Sequence, residues 1–148
     1  PRKAAQPVYD ENYKFALNKA DVITKGNDIT IVASGIMVAE SLKAVLKLKE
    51  EGISAELISA NTIKPLDEET ILNSIKKTNH IVTCENHNVI GGLYSAVSEM
   101  LIEKYPLHVD KIAVMDQFGQ VGKYSELLNY YHLTSNDIYN VVKKNLNK

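Results

Sequence analysis

The chain has 148 residues, 45% of them hydrophobic, which is enough for one globular domain with its own core. Its 17 basic and 18 acidic residues are well mixed and give a formal net charge of -1, which excludes the basic stripe that a nucleic-acid binder needs. A single cysteine excludes an internal disulfide and favours a reducing compartment such as the cytoplasm, and no apolar run reaches the about 18 residues of a membrane span.

The opening of the chain differs in composition from the rest. PRKAAQPVYDENYK is polar, carries two prolines and lacks an initiating Met. Such a composition is typical of a linker. We therefore expect residues 1–14 to be an arm from an upstream region and residues 15–148 to form the domain.

Short β-branched segments then alternate with longer segments of helical periodicity. Strands are predicted at residues 20–24, 29–34, 55–59, 80–84 and 111–115. Helices are predicted between the second and third strands, between the third and fourth, between the fourth and fifth, and twice after the fifth, at about 124–131 and 135–145.

Stop and start signals support these helices. Gly52 ends the first, Asp67 is the expected N-cap of the second, and the third stops before Pro106. Thr134 and Asp137 have the capping-box spacing that starts the last. Strands that alternate with long helices form a mostly parallel sheet with helices on both faces. The predicted fold is a three-layer αβα domain with about five strands, one of them an antiparallel edge strand.

The stretch CENHNVIGGLYSAVSE, residues 84–99, follows the fourth predicted strand. Ligands gather at the carboxyl ends of strands in such folds, so a functional site is conceivable here. Glu85 and His87 could belong to a metal site, but such a site wants three or four ligands, and the other histidines are scattered. The simpler alternative is an imidazole bonded to the loop backbone.

Two further chemistries fit the same stretch. Gly91 and Gly92 at a helix start could offer free N–H groups to an anion, although neither common phosphate-binding glycine pattern is present. The glycines could equally serve a sharp turn and close packing of the helix. Cys84 near His87 could form a thiol–imidazole pair, but a cysteine that ends an apolar strand is more often a buried hydrophobe.

A second loop, beginning at Asp116, follows the fifth predicted strand. Gly119 and Gly122 allow it to turn tightly before the next helix. We favour a loop that turns twice on glycine over a ligand site.

Three segments together resemble a known family: SANTIKPLDEETI (59–71), ENHNVIGGLYSAVSE (85–99) and DQFGQVGKYSELLNYYHLT (116–134). In this order and spacing they resemble the C-terminal domain of transketolase, and most closely the C-terminal section of transketolases that are split over two chains. The similarity extends from about Val8 nearly to the end of the chain. 1-Deoxy-D-xylulose-5-phosphate synthase and the β subunits of 2-oxo acid dehydrogenases share weaker versions.

Three positions depart from the family pattern. Tyr94 and His132 stand where the family usually has Gly, and Val121 stands where it often has Ser. His132 must then end its helix in a left-handed conformation without the freedom of glycine, which is unfavourable unless it bonds locally. These changes weaken the case for a ligand held by the loops and leave the fold prediction intact.

The resemblance implies an enzyme that moves a two-carbon ketol unit between sugar phosphates, as in the pentose phosphate pathway. Thiamine diphosphate and Mg²⁺ do that chemistry in the family, on two other domains that this chain does not contain. The resemblance therefore implies no catalytic, cofactor-binding or metal residues here, an inactive isolated chain, and partners in the missing domains and a homodimer. Residues 85–92 would support a domain or subunit contact, with Glu85 and His87 as the contact residues.

Two other hypotheses remain open from the sequence. One is a stand-alone module that binds an anionic metabolite at the helix start after Gly91 and Gly92. The other is a domain that docks a separate protein, as in the dehydrogenase β subunits.

Overall fold

A computed structural model describes residues 7–147, and their ten elements alternate as the sequence predicts. The strands are β1 (Asp21–Thr24), β2 (Ile29–Ala33), β3 (Ala55–Ser59), β4 (Ile81–Asn88) and β5 (Asp110–Val114). The helices are α1 (Met37–Glu50), α2 (Glu68–Thr78), α3 (Leu93–Lys104), α4 (Tyr124–Tyr130) and α5 (Ser135–Leu146).

The sheet confirms the predicted fold class. Its strand order is β1-β3-β2-β4-β5, with β3, β2, β4 and β5 parallel and β1 antiparallel at one edge. All five residues of β2 and of β3 are buried, as expected of central strands covered on both faces. Of the helices in residues 7–147, none is both long and apolar enough to cross a membrane.

Two hydrophobic clusters, one on each face of the sheet, complete the three layers. The first joins β2, β3, β4 and β5 to α1, α4 and α5 through side chains such as Ile31, Leu48 and Ile138. The second joins the sheet to α2 and α3 through Ile58, Ile75 and Val97. Both clusters lie inside the described chain, so the domain has a core of its own.

Most helix boundaries agree with the sequence signals. Asp67 caps α2 by accepting a hydrogen bond from the Thr70 N–H at 3.3 Å. The capping box that begins α5 is formed by Thr134 and Asp137. Gly52 has a φ of +79° just after α1, in the left-handed region that glycine favours.

The fourth strand is the main difference from the prediction. β4 ends at Asn88, not at Cys84, and its register with β5 shifts between those two residues. The run of apolar side chains ends at Cys84, but the backbone hydrogen bonds of a strand need no apolar side chain. The polar residues that follow therefore stay in the strand. Smaller differences place β1 one residue later and β5 one residue earlier than predicted.

Because β1 is antiparallel, its first residue lies beside the last residue of β3, Asp21 opposite Ser59. The segment before β1 therefore lies at the end of the sheet where the parallel strands have their carboxyl ends. The connections that follow β2, β3, β4 and β5 lie at the same end. We call this end of the sheet, with residues 7–20, 34–36, 60–67, 85–92 and 115–123, the carboxyl edge.

The predicted arm is partly outside the described residues, which begin at Pro7. Within the described part, Tyr9 and Tyr13 stack with ring centroids 3.9 Å apart. Their hydroxyls donate to the Asp21 carboxylate at 2.9 and 2.5 Å, and the Asn61 amide donates to the same oxygen at 2.6 Å. These bonds attach the segment before β1 to the carboxyl edge.

Candidate functional site

The last residues of β4 carry the two charged or titratable side chains that the sequence singled out, and their environments are opposite. Glu85 is 1% exposed, whereas His87 is exposed, with Nδ1 3.3 Å from the Asn88 carbonyl oxygen. Glu85 therefore acts inside the domain, and His87 is the member of the pair that a partner could reach.

The Glu85 carboxylate closes the start of α3. One oxygen accepts the Leu93 N–H at 2.8 Å, and the other accepts the Tyr94 N–H at 2.9 Å. The first N–H groups of a helix have no partner within it, and the helix dipole makes that end positive. The carboxylate satisfies both N–H groups and complements the dipole, so α3 begins on a cap supplied from β4.

Gly91 and Gly92 serve this turn for different reasons. A Cβ on Gly92 would lie 2.8 Å from the carboxyl carbon of Glu85 and 3.0 Å from the Asn88 carbonyl oxygen, too close for any side chain. Gly91 has open space around it but a φ of +78°, which L side chains rarely adopt. One glycine makes room for the carboxylate and the other makes the bend.

The remaining bonds of the turn are also internal. The Gly91 N–H donates to the Ser95 hydroxyl at 2.8 Å, and that hydroxyl donates to the Val89 carbonyl at 3.3 Å. The Asn88 side chain accepts the Ile90 N–H at 2.8 Å and donates to Asp116 at 3.0 Å. The N–H groups of Gly91, Leu93 and Tyr94, where an anion would bind, are thus already bonded within the chain.

The sequence did not indicate the part played by Asn88. Its amide links the turn after β4 to the loop after β5, through Asp116, whose φ is +48°. An Asn two residues before a bonded N–H is a known turn signal, and it could have been read here. The bond to Asp116 depends on the register of β4 and β5, which the sequence does not give.

Cys84 is not placed for nucleophilic chemistry. It is fully buried, and that burial, with a smaller contribution from the nearby Glu85 charge, raises the pKa of the Cys84 thiol to about 12. The thiolate that would be the nucleophile is therefore scarce at neutral pH. Across residues 7–147, His, Cys, Asp and Glu side chains form no group of three that could hold a metal ion.

The loop after β5 is open where the turn after β4 is closed. Phe118 is 94% exposed and Val121 is fully exposed. The loop backbone is nevertheless held, because the Tyr131 hydroxyl donates to the Phe118 carbonyl at 3.1 Å and accepts the Gln120 N–H at 2.7 Å. Two residues of the loop, Met115 and Gln117, line a shallow cavity together with Lys111, Tyr131 and His132.

Two of the unusual positions have local compensation. The ring of Tyr94 lies 4.5 Å from the Lys111 ammonium, a cation–π contact between α3 and β5. His132 adopts the predicted left-handed conformation, with a φ of +55°, and its Nδ1 lies 3.7 Å from the Asp137 carboxylate. The left-handed backbone of His132 is thus accompanied by a contact between its side chain and Asp137.

The comparison with known protein families agrees with this architecture. The sequence profile described as "Transketolase, C-terminal domain" matches residues 18–138. The chain belongs to this family. The resemblance drawn from the three sequence segments is confirmed, and so is the fold that it implied.

Individual relatives place the transketolase C-terminal domain in longer proteins. The 6-deoxy-6-sulfo-D-fructose transketolase subunit SqwH of Clostridium sp. (strain MSTE9) is 44% identical over 93% of this chain and 42% of its own length. The 1-deoxy-D-xylulose-5-phosphate synthase of Heliobacterium modesticaldum is 36% identical over 86% of this chain and 20% of its length.

A solved structure of a split gene transketolase, an inactive beta4 tetramer, matches with a TM-score of 0.93 and 40% identity. The match covers 99% of this chain and 48% of that chain. The transketolase domain described here therefore spans less than half the length of the proteins that it resembles.

Proposed function

We propose that this chain is the assembly domain of a transketolase-like transferase that moves a two-carbon ketol unit between sugar phosphates. In this proposal the thiamine diphosphate and Mg²⁺ are bound by the remainder of the enzyme. The chain itself stabilises the assembly and has no activity alone. The family membership and the relatives that are transketolase subunits support the proposal.

The observation that carries the proposal is the Glu85 cap. A helix start next to a glycine pair is the kind of place where a diphosphate would bind. Here the Leu93 and Tyr94 N–H groups at that start are bonded to the chain's own carboxylate. A second anion there would face the Glu85 charge and would have to displace it.

In this proposal the metal that accompanies the diphosphate is bound outside the described residues 7–147. Mg²⁺ is usually held by carboxylates together with phosphate oxygens. Within residues 7–147 no set of three metal-ligating side chains comes together. We therefore assign no step of the ketol transfer to residues of this domain.

We extend the proposal to the surroundings of the enzyme. The remainder of the transketolase contacts this domain, the parent is a homodimer, and the enzyme works in the cytoplasm, in the pentose phosphate pathway or a related sugar-phosphate conversion. Ile90 and Gly91 of the β4–α3 turn and His87 of β4 are exposed, so a partner can reach them. Glu85 and Gly92 shape the turn from beneath.

Activity assays of the purified chain test the catalytic part of this proposal. With thiamine diphosphate, Mg²⁺ and a ketose–aldose phosphate pair, we expect no ketol transfer from the 148 residues alone. The native protein that contains the chain should transfer the ketol unit. Turnover by the isolated chain would contradict the proposal.

A thermal-shift panel of phosphates, nucleotides and thiamine diphosphate tests the alternative of a stand-alone anion-binding module. We expect no shift for the isolated chain, because the Glu85 carboxylate already occupies the Leu93 and Tyr94 N–H groups at the start of α3. A saturable shift that Glu85→Gln strengthens would favour the module.

Relatives that are 1-deoxy-D-xylulose-5-phosphate synthases support a second candidate for the parent activity. The two activities are distinguished by offering the native protein pyruvate and glyceraldehyde 3-phosphate. We expect no 1-deoxy-D-xylulose 5-phosphate, since the 44% identical relative is a transketolase subunit. Formation of that product with loss of carbon dioxide would favour the synthase.

A further inference from the structure

Exposed apolar side chains are distributed unevenly over the described surface. Seven of the large ones lie at the carboxyl edge, in the segment before β1 and in the connections after β3, β4 and β5: Phe15, Leu17, Ile63, Ile90, Met115, Phe118 and Val121. The connections at the opposite edge, residues 25–28, 51–54, 79–80 and 105–109, contribute none to the same group. A concentration of this kind marks an interaction surface rather than ordinary surface variation.

The most prominent of these side chains are presented by a shaped backbone. Phe118 and Val121 extend into solvent while the Tyr131 hydroxyl bonds both the Phe118 carbonyl and the Gln120 N–H. Further along, the Lys123 N–H donates to the Glu126 carboxylate at 3.1 Å. A loop held in this way loses little entropy on association, which favours binding.

The geometry of the chain indicates what covers this surface. The segment before β1 runs along the carboxyl edge, tied there by Tyr9 and Tyr13 to Asp21 and by the Ala20 N–H to Asp67 at 2.9 Å. Relatives carry more than half of their length outside the part that this chain matches. A part of the enzyme that is joined to the chain through this segment would lie at the carboxyl edge, beside the exposed apolar side chains.

We infer that the carboxyl edge, centred on Phe118 and Val121, packs against the thiamine-diphosphate-binding part of the enzyme. This inference rests on the proposed function and adds to it the surface and the kind of partner. The partner presents an apolar protein surface, and the exposed His87 and Ile90 of the neighbouring turn lie beside the contact. Aromatic side chains at the centre of an interface carry a large share of its binding energy.

Hydrogen–deuterium exchange locates the covered surface. The sample is the native protein that contains this chain, purified through a tag on the chain, and the reference is the isolated chain. We expect the amides of residues 117–122 to exchange at least tenfold more slowly in the native protein. Residues 25–28, at the opposite edge, should exchange equally in both samples.

Two matched variants test the side chain itself. Phe118→Asp should abolish the protection of residues 117–122 in the native protein and leave the Tm of the isolated chain unchanged, because Phe118 is almost fully exposed. Ile102→Asp is the control, since Ile102 is 74% exposed on α3 near the opposite edge. It should change neither the protection nor the Tm.

The outcomes separate this inference from the proposed function. A native protein that transfers ketol units but shows no protection at residues 117–122 overturns the surface and leaves the function standing. Protection that is lost in Phe118→Asp, in a native protein without ketol transfer, supports the surface and overturns the function. If the isolated chain forms an oligomer in which residues 117–122 are protected, a second copy covers the surface and the assigned partner is wrong. The assigned partner is also wrong if the tagged chain is recovered alone and residues 117–122 are not protected.

Discussion

The turn after β4 and the loop after β5 occupy neighbouring positions at the carboxyl edge, and each has two glycines before a helix. In the first, the buried Glu85 carboxylate takes the free N–H groups of α3. In the second, Phe118 and Val121 lie in solvent, and the Tyr131 hydroxyl holds the backbone between them from its flank. Equal position and similar composition therefore give one closed turn and one open loop. What differs is a buried side chain that reaches the helix start.

The largest effect should come from Glu85→Ala. It leaves the Leu93 and Tyr94 N–H groups without their charged partner and opens a gap beside Gly92. Hydrogen bonds to charged groups contribute about 1.5–3 kcal/mol each, so we expect the free energy of unfolding to fall by about 3 kcal/mol. Urea denaturation followed by circular dichroism measures this change.

The control for that substitution is Glu99→Ala, on the exposed face of α3. It should stay within about 0.5 kcal/mol of the parent domain. If the two variants lose the same free energy of unfolding, the Glu85 cap contributes no more to stability than an exposed side chain does.

A glycine series should give a graded result. Gly92→Ala places a methyl group against the Glu85 carboxylate and should lower the free energy of unfolding by about 1–3 kcal/mol through overpacking. Gly91→Ala meets no atom but has a φ of +78°, and the expected loss is about 1 kcal/mol.

Gly119→Ala is the matched member of the series from the open loop. It has no neighbour within 4 Å and no positive φ, so we expect almost no loss. Midpoints of thermal unfolding rank the three variants. A loss at Gly119 as large as that at Gly92 would show that the loop after β5 is packed as tightly as the turn after β4.

At the end of α4 we expect a small gain in stability and no loss. His132→Gly removes a left-handed non-glycine residue, a relief of about 1–2 kcal/mol that the greater freedom of glycine in the unfolded chain offsets by about 0.5–1 kcal/mol. The His132 ring is largely exposed, so its contact with Asp137 contributes little. We expect a gain of up to about 1 kcal/mol, read from the urea midpoint. A clear loss would mean that the His132–Asp137 contact stabilises α5 more than its exposure suggests.

Much of the fold was predictable because its signals are local. Apolar runs gave all five strands, and Gly52, Asp67 and Thr134 marked helix ends by chemistry that acts within a few residues. The capping box of α5 follows from the same short-range rules, whereas the left-handed His132 was expected from the family resemblance.

The site was less predictable because its central bonds are not local. Glu85 reaches Leu93 and Tyr94 only because β4 continues through polar residues to Asn88 and the chain then folds back. That extension depends on pairing with β5, which lies more than twenty residues further along the chain. From the sequence alone, Glu85 and His87 looked equivalent. The structure separates them because the start of α3 covers Glu85 and leaves His87 exposed.

The Glu85 cap also has a consequence for competition by mass action. A carboxylate that the fold holds against two N–H groups acts at an effective concentration far above that of any free metabolite. A free anion must therefore displace the Glu85 carboxylate before it can bind the Leu93 and Tyr94 N–H groups, and no steric gate is needed. In the assembly proposed above, a single acidic residue of β4 would protect the start of α3 from the sugar phosphates of the ketol transfer.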